Sequence, residues 1–185
     1  MRSRPILLTT FFSAIVLTLS MINIDLQGVL PFKTSYHSLT KDAQKQVTCL
    51  AENIYFEAAQ EPLDGKKAVA FVTINRVLTG NYADSICDVV YQKTGGTCQF
   101  SWYCDKTFTD RRLTIKETKL YNEIRDLATN IVVNFERMKD VTHGATYYHA
   151  DYVNPGWKLD KVDQIGRHIF YKRKGDEIDR NKEFF

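Results

Sequence analysis

The chain has 185 residues, 44% hydrophobic and 25% charged, with a formal net charge of +3 at neutral pH. That length allows one compact domain with a sizeable core plus an N-terminal extension, and the composition is that of a globular protein rather than a disordered or repetitive one. The small positive balance permits attraction to an anionic polymer without arguing for one, and no nucleic-acid partner is expected.

The first residues are a different kind of sequence from the rest. Arg2 and Arg4 precede the run from Ile6 to Ile24, 19 positions without a formal charge. That is close to the roughly 20 residues that span a bilayer, although Thr9, Thr10, Ser13, Thr18, Ser20 and Asn23 dilute it. A basic start ahead of an apolar run reads as an export signal. No A-x-A cleavage site follows, so residues 1–24 are predicted to remain as a signal anchor. The N-terminus would then lie in the cytoplasm and the domain outside, in the periplasm or an equivalent extracytoplasmic space. Residues 25–40, with Gly28 and Pro31, read as a linker, 41–175 as the main domain and 176–185 as a charged, loosely held tail.

Val47, Leu50, Ala51, Ile54, Tyr55 and Ala58 recur at three- and four-residue intervals, which predicts an amphipathic helix with Thr40 as N-cap and Asp42 in its first turn. Pro62 and Gly65 are predicted to end it. Glu57 falls on the edge of the apolar stripe, Glu61 one turn further along the same side, and Glu52 on the opposite, wetter face. Desolvation, the negative end of the helix dipole and a like charge at i+4 would all raise the pKa of Glu57. A carboxylic acid kept protonated near neutral pH is the general acid that glycosidic cleavage requires. Periodicity alone favours the plainer reading of a solvated surface glutamate.

Further along, Ala68 to Leu78 reads as a buried helix with Gly80 near its C-terminus, Ser85 to Tyr91 as a short helix, and Tyr91 to Asp110 as a long loop. Leu120, Ile124, Leu127, Ile131, Phe135 and Met138 mark a second amphipathic helix. Ala145 to Val153 is strand-like, and Ile165-Gly166 is placed to turn a hairpin between Val162 and a strand from His168 to Tyr171. The plan is α+β, mainly helical with a small C-terminal antiparallel sheet.

Cys49, Cys87, Cys98 and Cys104 make an even set that suits an oxidising compartment. Three pairings are possible, and the sequence does not choose among them. The expected set is Cys98 with Cys104, which need little chain to meet, and by elimination Cys49 with Cys87. No C-x-x-C is present, so structural zinc is not expected. His37, His143, His149 and His168 include neither H-E-x-x-H nor an i, i+4 pair, which removes support for a zinc peptidase.

Three separated blocks, in order, resemble the cell wall hydrolase family that includes the spore-cortex-lytic (SleB-like) enzymes. The first is Tyr55-Phe56-Glu57-Ala58-Ala59-Gln60-Glu61-Pro62, then Gly65, then Ala68-Val69-Ala70 through Val72 to Asn75-Arg76-Val77. The second runs from Cys98 to Asp105 and the third from Gly144 to Trp157. Ala59-Gln60 stands where the family pattern has Arg-Gly, and Tyr147 where it has another aromatic residue or His. The resemblance implies a lysozyme-like fold of the lytic transglycosylase type. It also implies cleavage of peptidoglycan between N-acetylmuramic acid and N-acetylglucosamine, with Glu57 as the catalytic residue. That route needs no metal or cofactor and suits a monomer. A hydrolytic muramidase is the alternative and would want a second carboxylate, for which Glu61 is the candidate. A non-catalytic wall-binding protein is the reading from another class. Substrate contacts are expected from Gln99, Ser101, Trp102, Tyr148, His149, Asn154 and Trp157. For Trp102 and Trp157 core packing is the alternative, and for His149 a structural role on its strand is the simpler reading.

Overall fold

The structure, a computed structural model, describes residues 34–182 except 106, 108–110, 112, 113 and 117. The apolar run at 6–24 lies outside the described residues, among which no helix is long and apolar enough to cross a membrane. The linker expected over 25–40 is already packed at its end. Tyr36–Ser38 forms a single 3-10 turn, the Tyr36 hydroxyl meets Thr48 Oγ1 at 2.9 Å, and Tyr36 and Leu39 pack against the core.

Helix α1 (Lys41–Ala58) begins where the capping residue placed it, with the Thr40 hydroxyl oxygen accepting from Ala43 N–H at 3.2 Å. Its stripe of Val47, Leu50, Ala51 and Ile54 is fully buried. The expectation for Glu52 is corrected, because this side chain is 0% exposed rather than wet. It accepts a hydrogen bond from the Tyr91 hydroxyl and pairs with Lys116 at 3.2 Å. Helix α1 runs through the middle of the domain, packed by other helices on several sides, so it has no broad solvent face. An acid buried there needs partners, and these supply them.

Helix α2 (Leu63–Leu78) starts five residues earlier than predicted, with Pro62 at its N-cap position. Gly65 therefore lies in its first turn rather than ending α1. A Cβ at Gly65 would come within 2.8 Å of Glu61 Cβ, so glycine is required by close approach. Helix α3 (Ile86–Val90) is capped by Ser85, whose hydroxyl oxygen accepts from Asp88 N–H at 3.2 Å. The segment expected as a loop contains a small hairpin, β1 (Lys93–Thr94) with β2 (Thr97–Cys98), turned by Gly95 and Gly96 at positive φ, and then a 3-10 turn over Ser101–Cys104. A Gly-Gly pair between threonines is itself a hairpin signal. Helix α4 (Lys119–Asn134) packs along α1 and continues as a 3-10 turn through Phe135–Arg137.

The three-stranded sheet is antiparallel with β5 (His168–Lys172) at its centre, between β3 (Tyr147–Ala150) and β4 (Asp160–Ile165). Its inner face contributes Phe170, buried with Ala68, Val72 and Ala145. Both expected disulfides are present, Cys49–Cys87 joining α1 to α3 and Cys98–Cys104 closing the loop between β2 and the 3-10 turn.

Over residues 176–182 the expected loose tail is corrected as well, while 183–185 lie outside the described residues. Asp176 is 1% exposed and accepts from Thr146 Oγ1 and from Asn81 Nδ2. Asp179 N–H donates to Leu78 O at 3.2 Å, Lys182 Nζ to Val77 O at 3.0 Å, and Arg180 Nη2 to Phe135 O at 3.0 Å. The last carbonyls of a helix lack partners within it. Here the polar tail supplies them for α2 and for the turn after α4.

Candidate active site

Glu57 sits in the last turn of α1, and its Oε2 accepts a hydrogen bond from the Tyr148 hydroxyl at 2.9 Å. Burial pushes its carboxyl above the ordinary value, while the Tyr148 bond and the Arg76 charge pull it part of the way back. The Glu61 carboxylate, expected to raise it further by its like charge, is instead bound by Arg167 N–H. Burial, and then the Glu57 charge, push Tyr148 well above the ordinary phenol range, so its hydroxyl keeps its proton and is the donor. Along β3 alternate side chains point to opposite faces. Tyr148 faces inward, its ring 5.1 Å from His168 and 5.7 Å from Phe170.

Asn75 and Arg76 of α2 fasten the chain that leads into β3. Asn75 Nδ2 donates to Asp140 Oδ2 at 2.9 Å and to Ala145 O at 3.0 Å, and Arg76 Nε donates to Thr146 O at 2.7 Å. The Asn-Arg pair of the first sequence block therefore sets where Tyr148 stands relative to Glu57. Sequence reasoning missed Arg76 as a site residue, although its position in that block was visible.

Trp102 is 7% exposed and is a core residue rather than an open sugar platform. Its Nε1 donates to Asn53 Oδ1 at 3.0 Å, Asn53 Nδ2 donates to Thr73 Oγ1 at 3.0 Å, and the indole stacks on Phe56 at 4.7 Å. That stack, one residue from Glu57, brings the 99–104 loop beside the end of α1, with Ser101 exposed and Gln99 half-buried. His149 lies on the outer face of β3, stacked on Tyr171 at 5.2 Å, with Nε2 3.0 Å from the Tyr171 hydroxyl and Nδ1 2.9 Å from Ala150 O. Trp157 is 42% exposed, 5.5 Å from His149 and 5.6 Å from Tyr147. Asn154 is exposed in the β3–β4 loop and accepts from Gly156 N–H at 3.2 Å. The expected contact residues thus divide, with Tyr148 at Glu57, Gln99 and Ser101 on the loop that Trp102 anchors to Phe56, and His149, Asn154 and Trp157 on or beyond the outer sheet face.

Glu61 is committed to the β4–β5 turn. Its Oε2 accepts from Arg167 N–H at 3.1 Å, and a Cβ at Gly166, where φ is +58°, would lie 1.8 Å from the same oxygen. The carboxylate needs both glycines, Gly65 beneath it and Gly166 across from it. Glu61→Gln keeps an acceptor for Arg167 and is expected to retain most of the lytic activity. A catalytic base lost at this position would cost on the order of a hundredfold or more, so rates on purified wall separate the two roles.

The helical domain with its small antiparallel sheet has the fold of solved cell-wall-lytic catalytic domains. The fold aligns with the catalytic domain of SleB from Bacillus cereus at a TM-score of 0.52 and 20% identity, covering 77% of this chain and 98% of that one. The catalytic domain of the germination-specific lytic transglycosylase SleB from Bacillus anthracis gives 0.51 and 22%, covering 77% and 100%. The sequence model of the Cell Wall Hydrolase family matches residues 60–171, and the chain belongs to that family. It is also 27% identical over 133 residues to a spore cortex-lytic enzyme of Oceanobacillus iheyensis, covering 70% of this chain and 42% of that enzyme. A spore cortex-lytic enzyme of Halalkalibacterium halodurans is 25% identical over 131 residues, covering 69% and 35%. The chain thus spans less than half the length of these relatives. Glu57 precedes the family-matched segment.

Proposed function

We propose that the protein cleaves peptidoglycan glycan strands between N-acetylmuramic acid and N-acetylglucosamine as a lytic transglycosylase. The observation that carries this reading is Glu57, an acid raised by burial and hydrogen-bonded by Tyr148. Glu61, the other acid of the motif, is bound to the Arg167 backbone. Glu57 gives its proton to the glycosidic oxygen, the anomeric C–O bond breaks with its electron pair going to that oxygen, and an oxocarbenium-like centre forms. The Glu57 carboxylate then takes the proton of the muramoyl 6-hydroxyl as that oxygen bonds to the anomeric carbon. The acid is restored, and no water is consumed. One structural relative is named a lytic transglycosylase, and the commitment of Glu61 to a turn favours this route over a muramidase.

Mass spectrometry of digested peptidoglycan tests the mechanism. The expected products carry 1,6-anhydromuramoyl ends, lighter by one water than reducing ends. Reducing muramic ends alone would assign a muramidase, and new peptide ends would reject both. The apolar run at 6–24 is proposed to tether the enzyme with its domain on the outer side of the membrane. Recovery of the intact chain in the soluble cytosolic fraction would contradict that placement.

A further inference from the structure

Arg76 is a buried cation whose chemistry exceeds its structural task. Its side chain is 4% exposed, Nε is bonded to Thr146 O at 2.7 Å, and Nη1 is buried without a hydrogen-bond partner among the described residues. The rings of Phe100 and Tyr82 flank the guanidinium at 5.0 and 5.6 Å. Holding one carbonyl does not require a charge, since a neutral amide could do it. Burying an arginine with an unused donor is costly unless the charge serves something. The ionisable groups coupled to its charge are Tyr148, Tyr82 and Glu57, and its Nε bond to Thr146 O holds the chain that carries Tyr148 to Glu57.

We propose that Arg76 and Tyr148 are positioning residues that hold Glu57 through the carboxylate half of its cycle. This rests on the single-carboxylate reading above. Between its two proton transfers Glu57 must persist as an anion in a place chosen to disfavour anions. Burial alone would load the acid and then obstruct its release. A hydroxyl donating to the carboxylate and a cation close by act against burial and stabilise the ionised form. The two are mechanically joined, because Arg76 is bonded to Thr146, two residues before Tyr148 on the same stretch of chain. One side chain therefore supplies the charge and steadies the strand that carries the hydroxyl.

Few other titratable groups face this centre. His168 from β5 stands behind the Tyr148 ring at 5.1 Å, and burial lowers its pKa, so it is neutral at neutral pH. Tyr82 lies against Arg76, and Glu61 is turned to Arg167. Arg111 lies 5.7 Å from the Phe56 ring and is paired with Asp105 at 2.5 Å.

Carboxyl-carbon NMR titration of Glu57 in the full chain, assigned by the signal that Glu57→Gln removes, reads the proposal without passing through activity. Arg76→Gln is expected to raise the midpoint, as removal of a cation that favours the ionised form does. Arg76→Lys is expected to return the midpoint most of the way, and Tyr148→Phe to raise it. The alkaline limb of lysis should climb with the midpoint, while turnover at the optimum falls. An unmoved midpoint in Arg76→Gln overturns the proposal whatever happens to the rate. If that variant does not fold, Tyr148→Phe, which removes a single hydroxyl, decides alone, and an unmoved midpoint there overturns it. Full lysis by Glu57→Gln is a separate failure, one that removes the catalytic reading itself.

Discussion

Replacing Glu57 by Gln is expected to lower lysis of purified peptidoglycan at least about a hundredfold, the scale set by loss of a general acid. Gln keeps the size of the side chain and an oxygen that can still accept from the Tyr148 hydroxyl, so the geometry at the end of α1 should persist. Stability gives a second, independent readout. A carboxyl whose pKa is raised by folding favours the native state below its ordinary value, near 4.5 for this group, and that contribution is lost as pH climbs through the raised value. At neutral pH, above its ordinary value, the wild type therefore bears a cost, in holding the proton or in burying the anion, that Glu57→Gln avoids. The variant should melt no lower than wild type at neutral pH, and any advantage should shrink as the pH falls toward the ordinary carboxyl range. Near-normal lysis by this variant would remove Glu57 from the mechanism, whereas wall binding that survives with no lysis by either protein would make wall binding without catalysis the better account.

The local signals in the chain were strong where one residue determines its neighbours. Thr40 caps α1, Ser85 caps α3, and the stripe from Val47 to Ile54 is buried as its spacing implies. Gly166 turns the β4–β5 hairpin at positive φ, as its position after Ile165 predicted. What could not be read was whatever depends on how many sides of an element are covered. Glu52 was placed on a wet face because period 3.6 locates one stripe and cannot say that a second face will also be packed. Trp102 sits in a turn-rich segment that looks exposed, yet its indole nitrogen finds Asn53 and its ring finds Phe56. The charged tail read as solvated because its partners are helix-end carbonyls, which have no signature in side-chain sequence.

The candidate site divides along the same line. Glu57 was legible, first as an acid on the margin of an apolar stripe and then through the motif around it. Its partners were not, because Tyr148 is 91 positions away and Arg76 reaches Thr146 across 70. Such contacts are set by how β3 docks on α2, and no local pattern encodes them. Glu61 illustrates the reverse error. Helical spacing put it beside Glu57, but Pro62 stops α1, and the side chain turns instead to Arg167 in the hairpin. The glycines that admit it, Gly65 and Gly166, belong to segments about 100 residues apart. That shared dependence explains why one motif carries an acid, a proline and a glycine together.

Removing the Cys49–Cys87 bridge is expected to be the most damaging change to stability. Its cysteines are 38 residues apart, and closing a loop of that length is worth about 4 kcal/mol in the chain-entropy model, a large share of the roughly 5–15 kcal/mol that holds an ordinary domain folded. Cys98–Cys104, only 6 residues apart, is worth about 2 kcal/mol by the same estimate. Access runs the other way. Cys49 and Cys87 are 4% and 5% exposed, whereas Cys104 is at the surface. Graded reduction should therefore open Cys98–Cys104 first and loosen the Gln99–Trp102 segment while the helices stay intact. Because Trp102 stacks on Phe56, next to Glu57, activity should fall at that first step. Unfolding should follow only when the buried bridge is reached, and a Cys49→Ala, Cys87→Ala double variant should melt well below wild type without any reductant. Following lysis, free thiols and the helical circular dichroism signal together separates the two events. Loss of helix in step with the first two thiols, or a double variant as stable as wild type, would show that the α1–α3 tether does not hold the core.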